Sequence, residues 1–225
     1  PKLMWLKEHL PDTWMSAGKF LALTDYLVYE ATGRDIRSLC TNVCKWAYLG
    51  HESRWDRDFY AGIGLEDLFD DGKVTDDVAP MGAHAGNLTS VAAKHLGLTS
   101  DTAVGVGIID AHAGGIGVGV DTSTLALIGG TSSCHMAGAK ESCFVGGVWG
   151  PYYSAMIPEF WLNEGGQSST GALLDHMIER FGTIRDEDGL RHVLDDRDMN
   201  TVYGDLNAFI TKKGIGPEWT RDVHI

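Results

Sequence analysis

The sequence predicts an α/β fold for this chain of 225 residues. Three observations lead to this prediction. Helical and extended patterns alternate through the first half of the chain, and an apolar segment at residues 102–109 indicates a buried strand that ends at Asp110. A strand–loop–strand pattern at residues 124–137 then precedes an amphipathic helix at residues 168–181. Helices and strands are therefore expected in both halves.

The first half contains several predicted helices. Apolar residues at Leu3, Leu6 and Leu10 predict a helix that ends at Pro11, because proline inside a helix removes a hydrogen bond and clashes with the preceding turn. Residues 20–31 have helix-like spacing and are stopped by Gly33. Further helical character is predicted at residues 38–49, 52–68 (in parts) and 90–98, with a loop-rich segment at 70–88.

The sequence pattern of the second half predicts a β-hairpin followed by a helix. Strands are expected at residues 124–128 and 134–137, and the loop between them is rich in glycine and hydroxyl residues. Residues 185–200 are densely charged and indicate a solvated helix or loop. The best division into domains lies near Asp121, because the motifs that resemble binding or catalytic sites cluster on both sides of it.

Composition excludes several classes of function. A net charge of −13 disfavours a nucleic-acid partner, and 44% hydrophobic with 22% charged residues disfavours wholesale disorder. No apolar run approaches the roughly 20 residues that span a bilayer, and the first ten residues do not form a signal peptide. The four cysteines indicate reduced thiols in a cytoplasmic protein. Their spacing does not favour a metal site, although Cys40 and Cys44 could share a helix face.

The first candidate site is the segment GVGIIDAHAGGIGVGV at residues 105–120. A carboxylate at the end of an apolar strand, followed by small residues, suits a catalytic Asp110 where another molecule comes close. The alternative is a flexible connector with an Asp that caps a helix. His112 is interpreted as a packing or hydrogen-bonding neighbour rather than a base. The glycines are out of step with GxGxxG, which disfavours NAD.

The second candidate is GGTSS at residues 129–133. Backbone N–H groups without bulky side chains can bind a phosphate, and the hydroxyls add donors. It is not a Walker loop, and taken alone a hairpin turn is the favoured reading.

Two further residues carry charge in unusual surroundings. Glu164 lies in NEGGQSSTG, where it could accept hydrogen bonds from ligand hydroxyls; functional and structural roles are evenly balanced. The hydroxyl residues that follow it suit a helix N-cap. Lys45 lies within CKWAY, where a buried lysine would need a partner. A lysine that extends its charge to solvent is the favoured alternative on spacing alone.

The order of these motifs resembles the FGGY family of carbohydrate kinases, in particular its ribulokinase-like branch. The resemblance covers essentially the whole chain, and DAHAG followed by EGGQS is its most specific part. The segments that carry it are KLMWLKEH, PMGAHAGNLT, AAKHLGL, GIIDAHAGGIG, GGTSS, and the pairing of CKW with EGGQSSTG.

The resemblance implies an actin/Hsp70-like (ribonuclease H-like) fold of two α/β domains, incomplete at both ends here. Residues 1–121 would belong to the N-terminal kinase domain and residues 122–225 to the C-terminal one. Asp110 would be the general base that deprotonates a primary hydroxyl of a ribulose-like pentulose. Lys45 and Glu164 would contact the sugar with it. Phosphates of Mg²⁺-ATP would face the loop residues Gly130, Thr131 and Ser132.

The sequence departs from the family pattern at both ends. It contains no DxGT-type phosphate loop, and the adenine-binding motif is expected beyond Ile225. The expectation is therefore a chain that retains the base but phosphorylates sugar poorly or not at all by itself. The rival hypothesis is a non-catalytic, truncated kinase that binds a sugar or another protein. The expected ligands are a sugar and ATP, with no nucleic acid or membrane partner, and the sequence leaves homo-oligomerisation open.

Overall fold

The computed structural model describes residues 1–186, 189–195 and 197–214. The chain divides into two compact units. The first unit comprises Pro1–Ile128 and Cys134–Gly166, and the second comprises Gly129–Ser133 and Gln167–Ile225. The predicted division near Asp121 concerns the two kinase domains and stays a prediction.

The helices of the first unit begin and end where local chemistry requires. Pro11 begins a helix because its missing N–H would be unpaired there in any case, and Gly33 ends another in the left-handed conformation, at φ 72°. The Ser38 and Thr89 side chains each cap a helix N-terminus. The helices are α1 (Lys2–His9), α2 (Pro11–Ser16), α3 (Leu23–Thr32), α4 (Leu39–Lys45), α5 (Arg57–Gly62), α6 (Asp67–Asp70), α7 (Ser90–Leu96) and α8 (Asp110–Gly117).

Most strands in the first half are short and pair locally. The strands β1 (Arg37–Ser38) and β4 (Val78–Ala79) form a parallel pair. The strands β2 (Tyr48–Leu49) and β3 (Arg54–Trp55) pair antiparallel, as do β5 (His84–Asn87) and β6 (Ala103–Gly105). The predicted helices that end at Pro11 and Gly33, and the helix near residues 90–98, are confirmed. Residues 38–49 are only partly helical, because β2 follows α4.

A four-stranded sheet follows α8. Its strands are β7 (Leu125–Gly129), β8 (Ser133–Ala139), β9 (Trp149–Tyr153) and β10 (Trp161–Gln167), in the spatial order β7-β8-β10-β9. The two predicted hairpin strands are confirmed as β7 and β8. Buried Met136 and Leu162 from this sheet join a core that also contains Trp14, Trp55 and Leu68.

The strand predicted at residues 102–109 is wrong in extent. Strand β6 covers only Ala103–Gly105, and Asp110 begins α8 instead of ending a strand. The glycine-rich segment is consequently a helix rather than a loop. Its glycines allow a close approach to the sheet, since a Cβ on Gly114 would lie 2.9 Å from Ile128 Cδ1 and one on Gly115 would lie 2.6 Å from Met156 Sδ.

A buried polar network fixes α4 against the segment that leads to α8. The Ser38 N–H donates to Asp25 Oδ1 (2.8 Å), and the Asn42 amide donates to the Ser38 carbonyl (2.7 Å). The Ser38 hydroxyl donates to the Gly107 carbonyl, 2.8 Å away and three residues before α8. Burial raises the pKa of the Asp25 carboxyl, although the Ser38 hydrogen bond and Arg37 oppose this. The network therefore fixes the positions of α4 and α8 relative to each other.

The second unit contains a helix pair and a short hairpin. Its elements are α9 (Gly171–Phe181), β11 (Thr183–Asp186), β12 (Gly189–His192) and α10 (Met199–Lys213), with β11 and β12 antiparallel. The Tyr203 hydroxyl of α10 donates to Asp175 Oδ1 of α9 at 2.7 Å. The predicted helix at residues 168–181 is confirmed with a later start. The helix or loop predicted at residues 185–200 is wrong for residues 185–186 and 189–192, which belong to β11 and β12. Residues 187, 188 and 196 lie outside the described residues.

Replacement of Gly115 by alanine is expected to lower the free energy of unfolding by about 1–3 kcal/mol, because the added Cβ must displace buried side chains. It would lie 2.6 Å from Met156 Sδ and 3.3 Å from Met136 Cε, and both methionines are buried. Gly117→Ala is the matched control, since no atom lies within 4 Å of its Cβ position in the same helix. Urea unfolding of both variants measures the difference. Equal shifts of the same sign would contradict this account of the helix–sheet contact.

Candidate active site

The structure places Asp110 at the exposed N-terminus of α8. Its Oδ1 accepts a hydrogen bond from the Ala111 N–H at 2.8 Å. The first turn of a helix favours a negative charge, because unpaired N–H groups and the helix dipole face it. The carboxylate is therefore presented to solvent at a fixed point, by a helix rather than by the end of a buried strand.

Lys45 is the last residue of α4 and is exposed. Its exposure agrees with the interpretation of a lysine that extends toward solvent. A cation in the last turn of a helix interacts favourably with the helix dipole. Its positive charge also acts on Glu164, whose pKa it helps to lower.

Glu164 lies on β10, opposite Trp149 of β9, and is only 7% exposed. Burying an ionised carboxylate is costly unless it is paired and hydrogen-bonded. The partner here is the imidazole of His112, whose Nε2 lies 3.4 Å from Glu164 Oε2. This hydrogen bond lowers the pKa of the Glu164 carboxyl against the opposing effect of burial, and the positive charges of His112 and Lys45 add to it.

His112 is fully buried, two residues after Asp110 on α8. Its Nδ1 lies 3.1 Å from Cys40 Sγ, and its Nε2 faces Glu164. Burial lowers the pKa of His112, but hydrogen bonds and charge interactions with Cys40 and Glu164 outweigh burial and raise it to about 9. The interpretation of His112 as a hydrogen-bonding neighbour is confirmed by these contacts.

Cys40 and Cys44 share one face of α4, as their spacing indicated, and their pKa values move in opposite directions. A hydrogen bond from Cys44, aided by the nearby His112, lowers the pKa of the Cys40 thiol although burial opposes this. The same hydrogen bond, together with burial, raises the pKa of the Cys44 thiol. Both shifts favour a thiolate at Cys40 and an imidazolium at His112.

The resulting cluster of Cys40, His112 and Glu164 is named here the buried relay. It joins α4, α8 and β10 within the first unit. Sequence reasoning did not find it, although the i,i+4 cysteines and the histidine after Asp110 were visible signals. The ionisable groups near it are Cys44, Lys45, Asp110, Cys134 and Tyr152.

The predicted phosphate loop forms the turn between β7 and β8. The Gly130 N–H donates to the Ser132 carbonyl at 2.9 Å, so this donor is used inside the turn. The Gly130 and Thr131 carbonyls accept from the N–H groups of Gly171 (3.1 Å) and Thr170 (2.8 Å), which begin α9. Thr131 and Ser132 are exposed. The backbone therefore forms the hairpin turn that the sequence favoured. The phosphate-binding role of the loop stays a prediction.

The predicted site residues fall into two groups. Asp110, Lys45 and Glu164 belong to the first unit, whereas Gly130, Thr131 and Ser132 belong to the second. Among residues 1–186, 189–195 and 197–214, no group of three His, Cys, Asp or Glu side chains could hold a metal ion. Magnesium in nucleotide sites is held largely by substrate phosphates and water, so no residue here is assigned to it. Every helix in the described part of the chain is too short or too polar to cross a membrane.

Comparison with known proteins identifies the family. Residues 125–211 match the description "FGGY family of carbohydrate kinases, C-terminal domain". A protein from Danio rerio named "FGGY carbohydrate kinase domain-containing protein" is 52% identical over 203 residues, which cover 82% of this chain. The chain belongs to the FGGY family of carbohydrate kinases.

Other FGGY relatives carry more specific names. The D-ribulokinase YDR109C of Saccharomyces cerevisiae is 37% identical over 213 residues, covering 79% of this chain and 30% of that protein. A ribulokinase of Geobacillus thermodenitrificans is 32% identical over 182 residues, covering 80% of this chain and 32% of its own. The chain spans 37% of the Danio rerio relative. It therefore corresponds to about a third of the length of these proteins.

Solved structures agree on the fold. A xylulose kinase from Rhodospirillum rubrum aligns with a TM-score of 0.66 at 18% identity, covering 94% of this chain and 39% of that one. A gluconate kinase from Lactobacillus acidophilus aligns with a TM-score of 0.67 at 18% identity, covering 92% and 39%. The expected sugar-kinase fold of the actin/Hsp70 type is confirmed by this likeness.

Replacement of Cys40 by serine is expected to remove a rise in the free energy of unfolding that the parent shows as the pH increases from about 5 to 6.5. The raised pKa of His112 contributes stability that is fully present below its ordinary 6.5 and is lost as the pH rises through about 9. The lowered pKa of Cys40 contributes stability that is present above its ordinary 9.0 and is lost as the pH falls. In the parent the two effects cancel between about pH 6.5 and 8.5, because folding moves a proton from Cys40 to His112 without net uptake.

The variant loses the Cys40 contribution together with the part of the raised His112 pKa that Cys40 causes, so the gap in unfolding free energy between parent and Cys40→Ser should widen as the pH rises from about 5 to 6.5. The measurement is urea unfolding of parent and variant at three pH values between about 5 and 6.5. Cys143→Ser is the matched control, since Cys143 is exposed. A gap that stays constant with pH would contradict the charged Cys40–His112 pair.

Proposed function

We propose that this chain carries the base and sugar contacts of an ATP-dependent kinase that phosphorylates a primary hydroxyl of a ribulose-like pentulose. The observation that carries the proposal is the position of Asp110, an exposed carboxylate at a helix N-terminus, within the same unit as Lys45 and Glu164. Relatives named ribulokinase support the choice of substrate class.

Asp110 is proposed to remove the proton of the sugar hydroxyl as its oxygen attacks the γ-phosphate of ATP. Phosphoryl transfer passes through a loose transition state, so orientation of the attacking oxygen matters more than strong basicity. A carboxylate suits this task because it accepts one hydrogen bond from the hydroxyl in the ground state. Its placement on the first turn of α8 limits its motion, which supports the role of orienting group.

Lys45 and Glu164 are proposed to bind other sugar hydroxyls. An ionised carboxylate offers about four acceptor sites on its two oxygens, and His112 faces only Oε2. An ammonium group donates up to three hydrogen bonds. The lowered pKa of Glu164 keeps it ionised, and therefore able to accept from hydroxyls, at neutral pH. Together the two side chains provide acceptors and donors for a polyhydroxylated ligand.

Gly130, Thr131 and Ser132 are proposed to contact the phosphates of ATP. Thr131 and Ser132 are exposed at the turn, where hydroxyl and N–H donors stabilise charge that develops on phosphoryl oxygens. Magnesium, when bound with ATP, neutralises negative charge on the phosphates. The turn is braced by hydrogen bonds from the start of α9, which supports a fixed geometry for these donors.

Replacement of Asp110 by asparagine is expected to lower kcat by about 10²- to 10⁴-fold, because the amide cannot accept the proton. The assay couples ADP release to pentulose phosphorylation in a form of the chain extended at both ends to the length of its relatives. Asp58→Asn, an exposed aspartate on α5, is the matched control and should leave kcat unchanged. Turnover of Asp110→Asn within a few-fold of the parent would contradict the assignment of the base.

A panel of pentuloses and related polyols tests the substrate class in the same assay. Faster ADP release with ribulose than with xylulose, gluconate or glycerol is the expected result. Absence of ADP release with every sugar, together with measurable sugar binding, would instead support a non-catalytic sugar-binding protein.

A further inference from the structure

His112 differs from the other site residues because it is buried where no substrate can touch it. Its exposed fraction is 0%, whereas Asp110, two residues earlier on α8, is exposed. Both ring nitrogens nevertheless face ionisable partners, Cys40 on α4 and Glu164 on β10. The two contacts satisfy both ring nitrogens, as buried polar groups require, and they connect the ring to a proposed sugar contact.

We propose that His112 is a positioning residue of the sugar site: its imidazole, fixed at Nδ1 by Cys40, holds the Glu164 carboxylate in the orientation that sugar hydroxyls require. This inference rests on the proposed function of Glu164 as a sugar contact. It adds a role for a residue that itself touches neither sugar nor ATP.

The geometry of the ring supports this role. The Cys40 Sγ lies 3.1 Å from Nδ1, within the range for a hydrogen bond to sulfur, so rotation of the ring would break a contact. The opposite nitrogen then points at Glu164 Oε2, 3.4 Å away. This distance is long for a hydrogen bond, and attraction between the opposite charges adds to it in the buried setting. The imidazole consequently holds one side of the carboxylate, and the Cys134 thiol forms a further hydrogen bond with Glu164.

The support is useful because a Glu164 carboxylate without a fixed orientation would bind sugar hydroxyls less well. A binding group must lie within a fraction of an ångström of its productive position, and supporting contacts provide this precision. Without His112, the buried carboxylate would lose its interaction with Nε2 and would turn toward other donors such as the Cys134 thiol, or take up a proton. Sugar affinity would fall in either case, while the ATP contacts would be unaffected.

Helix α8 also links the proposed base, Asp110, to the residue that supports Glu164. Asp110 and His112 lie within the first turn of α8, so the base and the support of Glu164 move together. Gly115 seats this helix against Met136 and Met156. The arrangement fixes the base relative to a hydroxyl contact, which is what in-line attack demands.

The test compares two amide replacements in the extended form of the chain. Asparagine places its amide nitrogen near the Nδ1 position, whereas glutamine places it near Nε2, where it can donate to Glu164. His112→Asn should raise KM for the sugar about 10-fold, since a hydrogen bond to a charged group is lost. His112→Gln should recover most of this loss. KM for ATP should stay within about twofold in both variants, because the change acts only through the sugar contact.

A double-mutant cycle with Glu164→Gln decides whether His112 acts through Glu164. If it does, adding His112→Asn to Glu164→Gln raises KM for the sugar no further. Additive effects, or equal KM values for parent and His112→Asn, would overturn the positioning role while leaving the sugar contact of Glu164 intact. An unchanged KM in Glu164→Gln alone would overturn both the sugar contact and the positioning role.

A spectroscopic measurement covers the case in which the variants fold poorly. The ¹⁵N spectrum of His112 in the parent should show both ring nitrogens protonated at pH 8, since the ring then donates to both partners. Replacement of Cys40 by serine should shift the loss of the second proton to lower pH. A ring without a proton on Nε2 at pH 8 in the parent would overturn the proposal.

Discussion

The close approach of α8 to the four-stranded sheet is the constraint on which the site depends. A Cβ on Gly115 would lie 2.6 Å from Met156 Sδ, and one on Gly114 would lie 2.9 Å from Ile128 Cδ1, so larger residues would push the helix outward. Glycine is costly inside a helix, by up to about 1 kcal/mol relative to alanine. The packing gained against a buried sheet offsets that cost. Because α8 starts at Asp110, its distance from the sheet also sets where the proposed base lies.

The buried relay is the second consequence of this packing. Placing α8 against β10 brings His112 to Glu164, and the network around Ser38 brings α4 and Cys40 to the opposite side of the ring. Buried ionic groups contribute little net stability compared with apolar residues of similar size, but removing one partner is costly. We interpret the relay as an arrangement that serves the geometry of the proposed sugar site, with Lys45 adding positive charge nearby.

The sequence predicted the elements whose signals are local. Gly33 ends α3, Pro11 separates two helices, and the hairpin strands around GGTSS lie where expected. The segment before Asp110 was predicted as a strand because a short apolar run fits a strand or a buried helix segment equally well. The glycine-rich helix could not be foreseen, since propensity disfavours it and only the sheet beneath explains it. The family and its fold followed from motif order, while the roles of Asp110, Lys45, Glu164 and the loop residues stay predictions.

The relay itself lay beyond sequence reasoning, because its contacts join residues 72 and 52 positions apart. The central claim is that Asp110 acts in the chemical step rather than in binding. Sugar affinity and single-turnover rate, measured together for parent and Asp110→Asn in the extended form, test it most directly. The account predicts a sugar Kd within a few-fold of the parent and a transfer rate lowered by about 10²- to 10⁴-fold. A variant that transfers phosphate at the parental rate, or loses rate only in proportion to lost sugar affinity, would contradict it.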